Sequence, residues 1–216
     1  MTSTLPFLPD LHTLVLFSGA CLVLFVTPGP DMSLFLSKTV QGGRACGMAA
    51  MLGAFTGALV HTLLAALGLS ALLAASPAAF TAVKIVGALY LLWMAWDALR
   101  NGSALSLRPG GPAPASLRAT WLLGVGINLS NPKVILFFVT FLPQFVAAGD
   151  PHAAGKLVFL GLWFVALSAP LAALAILAAD EVVALARTRP RVLRGVDIVF
   201  AGVFGLFALQ ILATAR

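Results

Sequence analysis

The sequence predicts an all-α polytopic membrane protein, six transmembrane helices in a 3+3 inverted repeat with helices 1 and 4 broken. Three observations predict it. Of 216 residues, 61% are hydrophobic and 9% charged, whereas soluble domains are about 45–50% apolar and about 25% charged. Six apolar runs each reach the roughly 20 residues that a helix needs to cross a hydrocarbon core. Helix breakers sit in the middle of the first and fourth runs. A water-soluble enzyme could not hide this much apolar surface, and disordered chains have the opposite bias.

The runs are Leu11–Val40, Gly47–Ala75, Ala79–Leu99, Thr120–Ala147, Leu157–Ala179 and Gly195–Ala215. Each is read as a helix, because an open strand edge cannot be left in lipid. The first is no cleaved signal peptide: its flank, Met1–Asp10, carries no Lys or Arg, and the run is too long for an h-region. The polar stretch Asn101–Arg118, with Arg-Pro-Gly-Gly-Pro-Ala-Pro at 108–114, has the composition of a flexible connector. It divides a single membrane domain, 1–216, into repeat 1 (about 11–99), a connector (about 100–119) and repeat 2 (about 120–215).

The halves match span by span. Pro30-Asp31-Met32-Ser33-Leu34-Phe35 pairs with Pro132-Lys133-Val134-Ile135-Leu136-Phe137, Gly47 and Leu52-Gly53 with Gly155 and Leu160-Gly161, and Val83-Lys84-Ile85-Val86 with Val196-Asp197-Ile198-Val199. The offsets rise smoothly (102, 108, 113), as loop insertions would produce. An odd number of spans per repeat inverts the halves, an architecture common among secondary transporters.

Charge gives orientation. Nine basic residues (Lys38, Arg44, Arg100, Arg108, Arg118, Arg187, Arg189, Arg191, Arg194) fall on one side and three (Lys84, Lys156, Arg216) on the other. The positive-inside rule puts the nine in the cytoplasm and both termini outside. Set in short gaps between apolar runs, the net +6 charge does not suit a nucleic-acid binder. Arg187-Thr-Arg-Pro-Arg191 also suits anionic lipid.

Chemistry concentrates at the two breaks, Thr27-Pro28-Gly29-Pro30-Asp31 and Asn128-Leu129-Ser130-Asn131-Pro132-Lys133. Proline removes a backbone donor, Gly29 permits unusual dihedrals, and a new half-helix is expected to start at Pro30 and at Pro132. Thr27, Asn128, Ser130 and Asn131 can satisfy the freed backbone groups. Interrupted helices at matching places point to a transport site. A charge in mid-membrane costs about 2.5–3.5 kcal/mol, so Asp31 and Lys133 each need a partner or a wet cavity. Three readings stay open. The pair is a structural ion pair pinning the repeats; or Asp31 meets an α-ammonium group while Lys133 and the half-helix N-termini meet a carboxylate; or both hold by turns, the pair closed when empty and opened by substrate.

His61, inside span 2, is read either as a proton-coupling or substrate-lining residue or as a helix–helix hydrogen bonder. Asp97 is expected to pair with Arg100, Lys84 to snorkel and Asp197 to pair with Arg194. Gly43, Gly47, Gly53 and Gly57 give small-xxx-small spacing for close helix approach. Trp93, Trp96, Trp121 and Trp163 read as interface anchors or packing residues. Cys21 and Cys46 form no metal or redox set. No Walker A, HExxH, GxSxG or CxxC occurs. Neither a catalytic site, a metal nor a cofactor is expected.

The residues Thr27-Pro28-Gly29-Pro30-Asp31, Gly53-x-x-x-Gly57 followed by His61, Gly87-Ala88-Leu89-Tyr90-Leu91 and Asn128-Leu-Ser-Asn-Pro-Lys133 with Leu142-Pro143-Gln144-Phe145 resemble the LysE/RhtB family. The resemblance covers roughly residues 10 to 212, and its TPGPD form is closer to the homoserine/threonine-resistance branch. It implies a bacterial inner-membrane exporter of amino acids, driven by a proton or other ion gradient, with small neutral amino acids or analogues as substrates and a homodimer as a partner state. The alternatives are export of another small solute, such as a cationic metabolite or a metal, or a non-transporting membrane subunit or enzyme.

Overall fold

The computed structural model describes residues 8–102, 116–147 and 150–214. The first residues of the N-terminal flank, connector residues 103–115 including Arg108, and Ala215 and Arg216 lie outside the described residues. Every described regular element is helical.

Span 1 is two helices, α1 (Leu11–Val26) and α2 (Pro30–Gly42), bent by 51°. Span 2 is α3 (Arg44–Leu64), a π-helical turn (Ala65–Leu69) and α4 (Ser70–Ala75). Span 3 is α5 (Pro77–Asn101). Span 4 joins α6 (Leu117–Ser130) to α7 (Pro132–Leu136) and on through a π-helical turn (Phe137–Phe141) to a 3-10 turn (Leu142–Phe145), with a bend of 54°. Spans 5 and 6 are α8 (Ala153–Leu177) and α10 (Pro190–Thr214). A re-entrant loop turns the chain back, and bends of 51° and 54° do not. Counted as one span each, the bent pairs bring the described residues to six spans.

One element was not expected. Between spans 5 and 6, where the hydropathy suggests only a basic loop, α9 runs from Ala179 to Thr188. It has Asp180 and Glu181 in its first turn and Arg187 in its last, charges that complement the helix dipole at both ends. Span 6 also starts earlier than expected, with Pro190 opening a helix that carries Arg191 and Arg194.

Large apolar side chains line the outside, Leu67 at 71% exposure and Leu206 at 69% among them, as a lipid-facing surface requires. With lipid as apolar as leucine, burial does not drive helices together, and close packing of small residues must. The tightest crossing follows that rule. A Cβ on Gly53 would collide with the Trp121 carbonyl, and one on Gly124 with the Ala50 carbonyl, so α3 and α6 touch backbone to backbone. Two apolar clusters result. The larger centres on Phe17, Phe137, Phe138, Phe141, Phe164 and Phe204; the smaller joins Leu34, Phe35, Ala50, Met51, Ala54, Ala172 and Ile176.

The loops define two faces. Arg44, Arg100, Arg118 and Arg187–Arg194 lie at one, here the arginine face. Asp10, Asp150 and Lys156 lie at the opposite face, where Lys156 Nζ donates to Asp150 Oδ2 at 2.5 Å. That ammonium, helped by the His152 backbone N–H, holds the Asp150 carboxyl below the usual carboxylate range. A depressed carboxyl contributes stability at neutral pH and loses it as pH falls through its lowered value, below about 4. Asp150→Asn should therefore lower the melting temperature of the detergent-solubilised protein at pH 7, and the gap to the parent should close at acid pH. A gap independent of pH would refute the ion pair.

The expected surface pairs are rearranged. Asp97 accepts from Asn101 Nδ2 at 2.6 Å, one turn on, in place of Arg100. Arg194 reaches across to the C-terminal end of α5, donating to the carbonyl of Leu99 and to that of Ala98, which also accepts from the Gly102 N–H. Asp197 is buried at 2% exposure.

Candidate functional site

Both breaks form where the prolines put them. Pro30 and Pro132 each open a new helix, and an unturned residue precedes each. At the first break Thr27 Oγ1 donates back to the Val23 carbonyl at 2.7 Å. At the second, Asn131 caps the new helix, its Oδ1 accepting from the Lys133 N–H at 3.1 Å. Gly29 corrects one expectation. Its φ of −165° and ψ of −175° are extended backbone that any residue adopts, so no unusual dihedral requires glycine there.

The two breaks hold each other. Asn128 Nδ2 donates to Asp31 Oδ2 at 2.8 Å, and Lys133 Nζ donates to the Thr27 carbonyl at 2.6 Å. Asp31 and Lys133 therefore form no ion pair with one another, and the two readings with a closed pair are corrected. The ammonium has a nearer acceptor in the carbonyl that the break of span 1 frees. Removing a helix's next turn leaves its last carbonyls without partners, and Lys133 fills one of them.

His61 is buried at 8% exposure. Its Nε2 donates to the Asn128 carbonyl at 3.4 Å and its ring stacks on Phe138 at 5.6 Å. That is a helix–helix contact behind the second break, and His61 is not among the residues lining the cavity described next.

A chamber of about 60 Å³ opens between the breaks, lined by Thr27, Gly29, Asp31, Asn128, Asn131 and Lys133 with apolar residues from spans 1, 2, 4 and 5. Three buried side-chain atoms among the described residues lack a hydrogen-bond partner: Asp31 Oδ1, Asn128 Oδ1 and Ser168 Oγ. All three residues line this chamber. Unmade buried hydrogen bonds are costly, and three in one cavity mark a place shaped for something else. Two of the atoms are pure acceptors, so their complement is a donor such as an ammonium group.

A second cleft, about 250 Å³, adjoins on the arginine side, where Tyr90, Trp93, Asp97 and Gly102 line it with Pro28, Pro30 and Pro132. Thr27, Gly29, Asn131 and Lys133 line both cavities. The Lys133 side chain, one of those shared residues, lies across Gly29 with Nζ 5.7 Å from the Phe200 ring centre. Ligand sites run to about 300–1,000 Å³, so the chamber takes a solute only if it widens.

Sequence reasoning missed Ser168 and the Tyr90–Trp93 pair. Ser168 is 1% exposed on span 5, two residues before Pro170, a break signal that was available. Gly57 is more than a packing residue. Its missing Cβ is what admits Asn128: a methyl there would lie 2.6 Å from Asn128 Oδ1. Gly57→Ala should push Asn128 off Asp31. A hydrogen bond to a charged group is worth about 1.5–3 kcal/mol, so any activity of this site should fall by roughly 10- to 100-fold with yield unchanged, since alanine favours the helix by about 1 kcal/mol. Wild-type activity in this variant would remove Asn128 from the site.

Among the described residues, no group of three or more His, Cys, Asp or Glu side chains could hold a metal ion. Cys21 is buried and Cys46 half-buried, both as free thiols.

The chain is 32% identical over 213 residues to an uncharacterized membrane protein of Pseudomonas aeruginosa, covering 95% of both chains. It is 36% identical over 149 residues to a leucine efflux protein of Enterobacter sp., covering 66% of this chain and 67% of that one. A leucine efflux protein of Klebsiella pneumoniae is 29% identical over 205 residues, covering 93% and 94%. No solved structure matches the chain. The family described as LysE type translocator matches residues 22–215, both breaks and the whole chamber among them, and the chain belongs to that family.

Proposed function

We propose that this protein exports a small neutral amino acid, of the leucine kind, across the bacterial inner membrane as a secondary transporter. The observation that carries the reading is the set of unpartnered acceptors, Asp31 Oδ1 and Asn128 Oδ1, in one buried chamber beside a lysine. A zwitterion answers both features. Its ammonium donates to the two acceptors, and its carboxylate draws Lys133 Nζ off the Thr27 carbonyl, which joins chamber to cleft. Leu24, Phe35, Phe55, Val134 and Phe164 offer an aliphatic side chain an apolar wall. The names of the Enterobacter and Klebsiella relatives support the same substrate class.

Direction follows from the charges. The arginine face is cytoplasmic by the positive-inside rule, the cleft beside Trp93 and Asp97 is the entrance, and both termini are periplasmic. A proton arriving from the far side competes with the ammonium for Asp31 Oδ1, which couples release to the proton gradient. The matched bends, 51° and 54° at prolines in equivalent positions, support two inverted halves rocking about the site. A metal or simple cation fits less well, because Lys133 stands beside the acceptors.

The test is counterflow in proteoliposomes against a panel of amino acids, with and without a pH gradient. Leucine and its close analogues should exchange, and an acid exterior should accelerate efflux. Absence of counterflow for every amino acid would overturn the reading.

A further inference from the structure

The opposite face holds a third cavity, about 430 Å³, well apart from the two breaks. It lies where the ends of spans 1, 4 and 6 converge on span 3. Its lining is polar in a way this chain is almost nowhere else. The sequence has three glutamines, three histidines and four lysines. Gln144, Gln210, His12 and Lys84 all line this one cavity, with Thr13. Lysine and histidine carry N–H donors and each glutamine amide two more, one of those on Gln144 being given to the Thr140 carbonyl at 2.8 Å. Asp and Glu are absent from the lining among the described residues. A concave site of this size, carrying one fixed cation and several donors, is complementary to a carboxylate. Simple snorkelling accounts for a lysine near a helix end; it does not account for two glutamines lining the same cavity from two other spans.

The floor connects this cavity to the chamber. Phe145 and Phe207 line it, and both pack on Phe141, at 5.0 and 4.8 Å between ring centres. Phe141 stacks on Phe137 at 5.2 Å, and Phe137 meets Phe164 in a tilted contact at 5.0 Å, whose ring is a wall of the chamber. A column of aromatic rings thus separates the two polar sites. Phe137 and Phe141 bound the π-helical turn of span 4, a helix form that clusters at functional sites.

We propose that this outer cavity is a second binding site, taking the carboxylate end of the departing solute on Lys84 with Gln144 and Gln210, beyond an aromatic barrier. The proposal rests on the exporter reading for the identity of the solute, and on the cavity alone for its preference for anions.

Its test uses the purified full-length protein with Cys46→Ser, Cys21 being buried at 1% exposure, and a reporter thiol from Ala147→Cys on the cavity's rim. Anionic sulfonatoethyl methanethiosulfonate should label that thiol ~10-fold faster than the cationic trimethylammonioethyl reagent, as a local positive potential dictates. Adding Lys84→Gln should bring the two rates to within ~2-fold. Leucine should slow labelling, leucinamide should not, and Lys84→Gln should abolish the protection. Equal rates for both reagents with Lys84 present, or protection by leucinamide as strong as by leucine, would overturn the proposal. The two readings fail separately. Protection without leucine counterflow sinks the exporter assignment and leaves the anion site standing; counterflow without protection sinks the anion site.

Discussion

Asp31→Asn should abolish efflux, by ~100-fold or more, while the protein still inserts and runs as a single species in size-exclusion chromatography. The two halves of that expectation have different physical sources. Folding survives because Asn128 Nδ2 donates to Asp31 Oδ2 at 2.8 Å, and an asparagine oxygen placed there accepts the same bond. Transport fails because the amide puts an N–H₂ group where Oδ1 now stands without a partner. An ammonium then faces a donor instead of an acceptor, and the unfavourable pairing adds to the loss of a charge-assisted bond worth about 1.5–3 kcal/mol. A proton-coupling role fails as well, since an amide does not titrate. The measurement is efflux of radiolabelled leucine from preloaded proteoliposomes. Asp31→Glu separates charge from fit: it restores the carboxylate but adds a methylene to a chamber of about 60 Å³, where overpacking costs about 1–3 kcal/mol, so partial activity is expected. Wild-type rates in Asp31→Asn would remove this residue from the mechanism.

Much of this architecture is legible in the sequence because its causes are local. Proline cannot continue a helix, so Pro30 and Pro132 announce both breaks whatever surrounds them. Apolar run length fixes the spans. The partners of the buried groups are not local, and there the sequence misleads. Opposite charges at equivalent positions suggest that Asp31 and Lys133 meet, yet Lys133 has a nearer partner in the freed Thr27 carbonyl and Asp31 in the Asn128 side-chain amide. The Thr27 carbonyl exists as an acceptor only because the helix ends there, and nothing in the side-chain sequence displays it. His61 was equally ambiguous, because which face of span 2 meets the second break depends on the Gly53–Gly124 crossing. Ser168 was hidden for another reason. A serine in an apolar helix ordinarily bonds its own backbone four residues back, as Ser130 does with the Gly126 carbonyl at 2.8 Å, and only the fold shows that Ser168 does not. The helix α9 escaped because a search for spans passes over ten residues of mixed charge.

Lys133→Met should weaken both the protein and its selectivity, and the two effects are separable. The stability loss comes from the Thr27 carbonyl, left buried without a donor once Nζ is removed. Such an orphan costs about 1–3 kcal/mol, which should lower the melting temperature in detergent by several degrees. Methionine nearly keeps the volume of the stem and so limits any cavity contribution. Selectivity reports on the other role. If Lys133 leaves Thr27 to take a carboxylate, the parent should bind leucine more tightly than leucinamide, and the variant should lose most of that preference, ~10-fold for one charge-assisted contact. A purely structural lysine predicts otherwise: both ligands weaken in proportion to the population lost, and their ratio stays fixed. Competition binding with the two ligands on the parent and the variant, at a temperature where both remain folded, therefore decides the matter. An unchanged ratio alongside a lowered melting temperature would confine Lys133 to capping the break of span 1, and the carboxylate would then have to be held by the backbone N–H groups that open α2, where Pro30 has no N–H of its own to contribute.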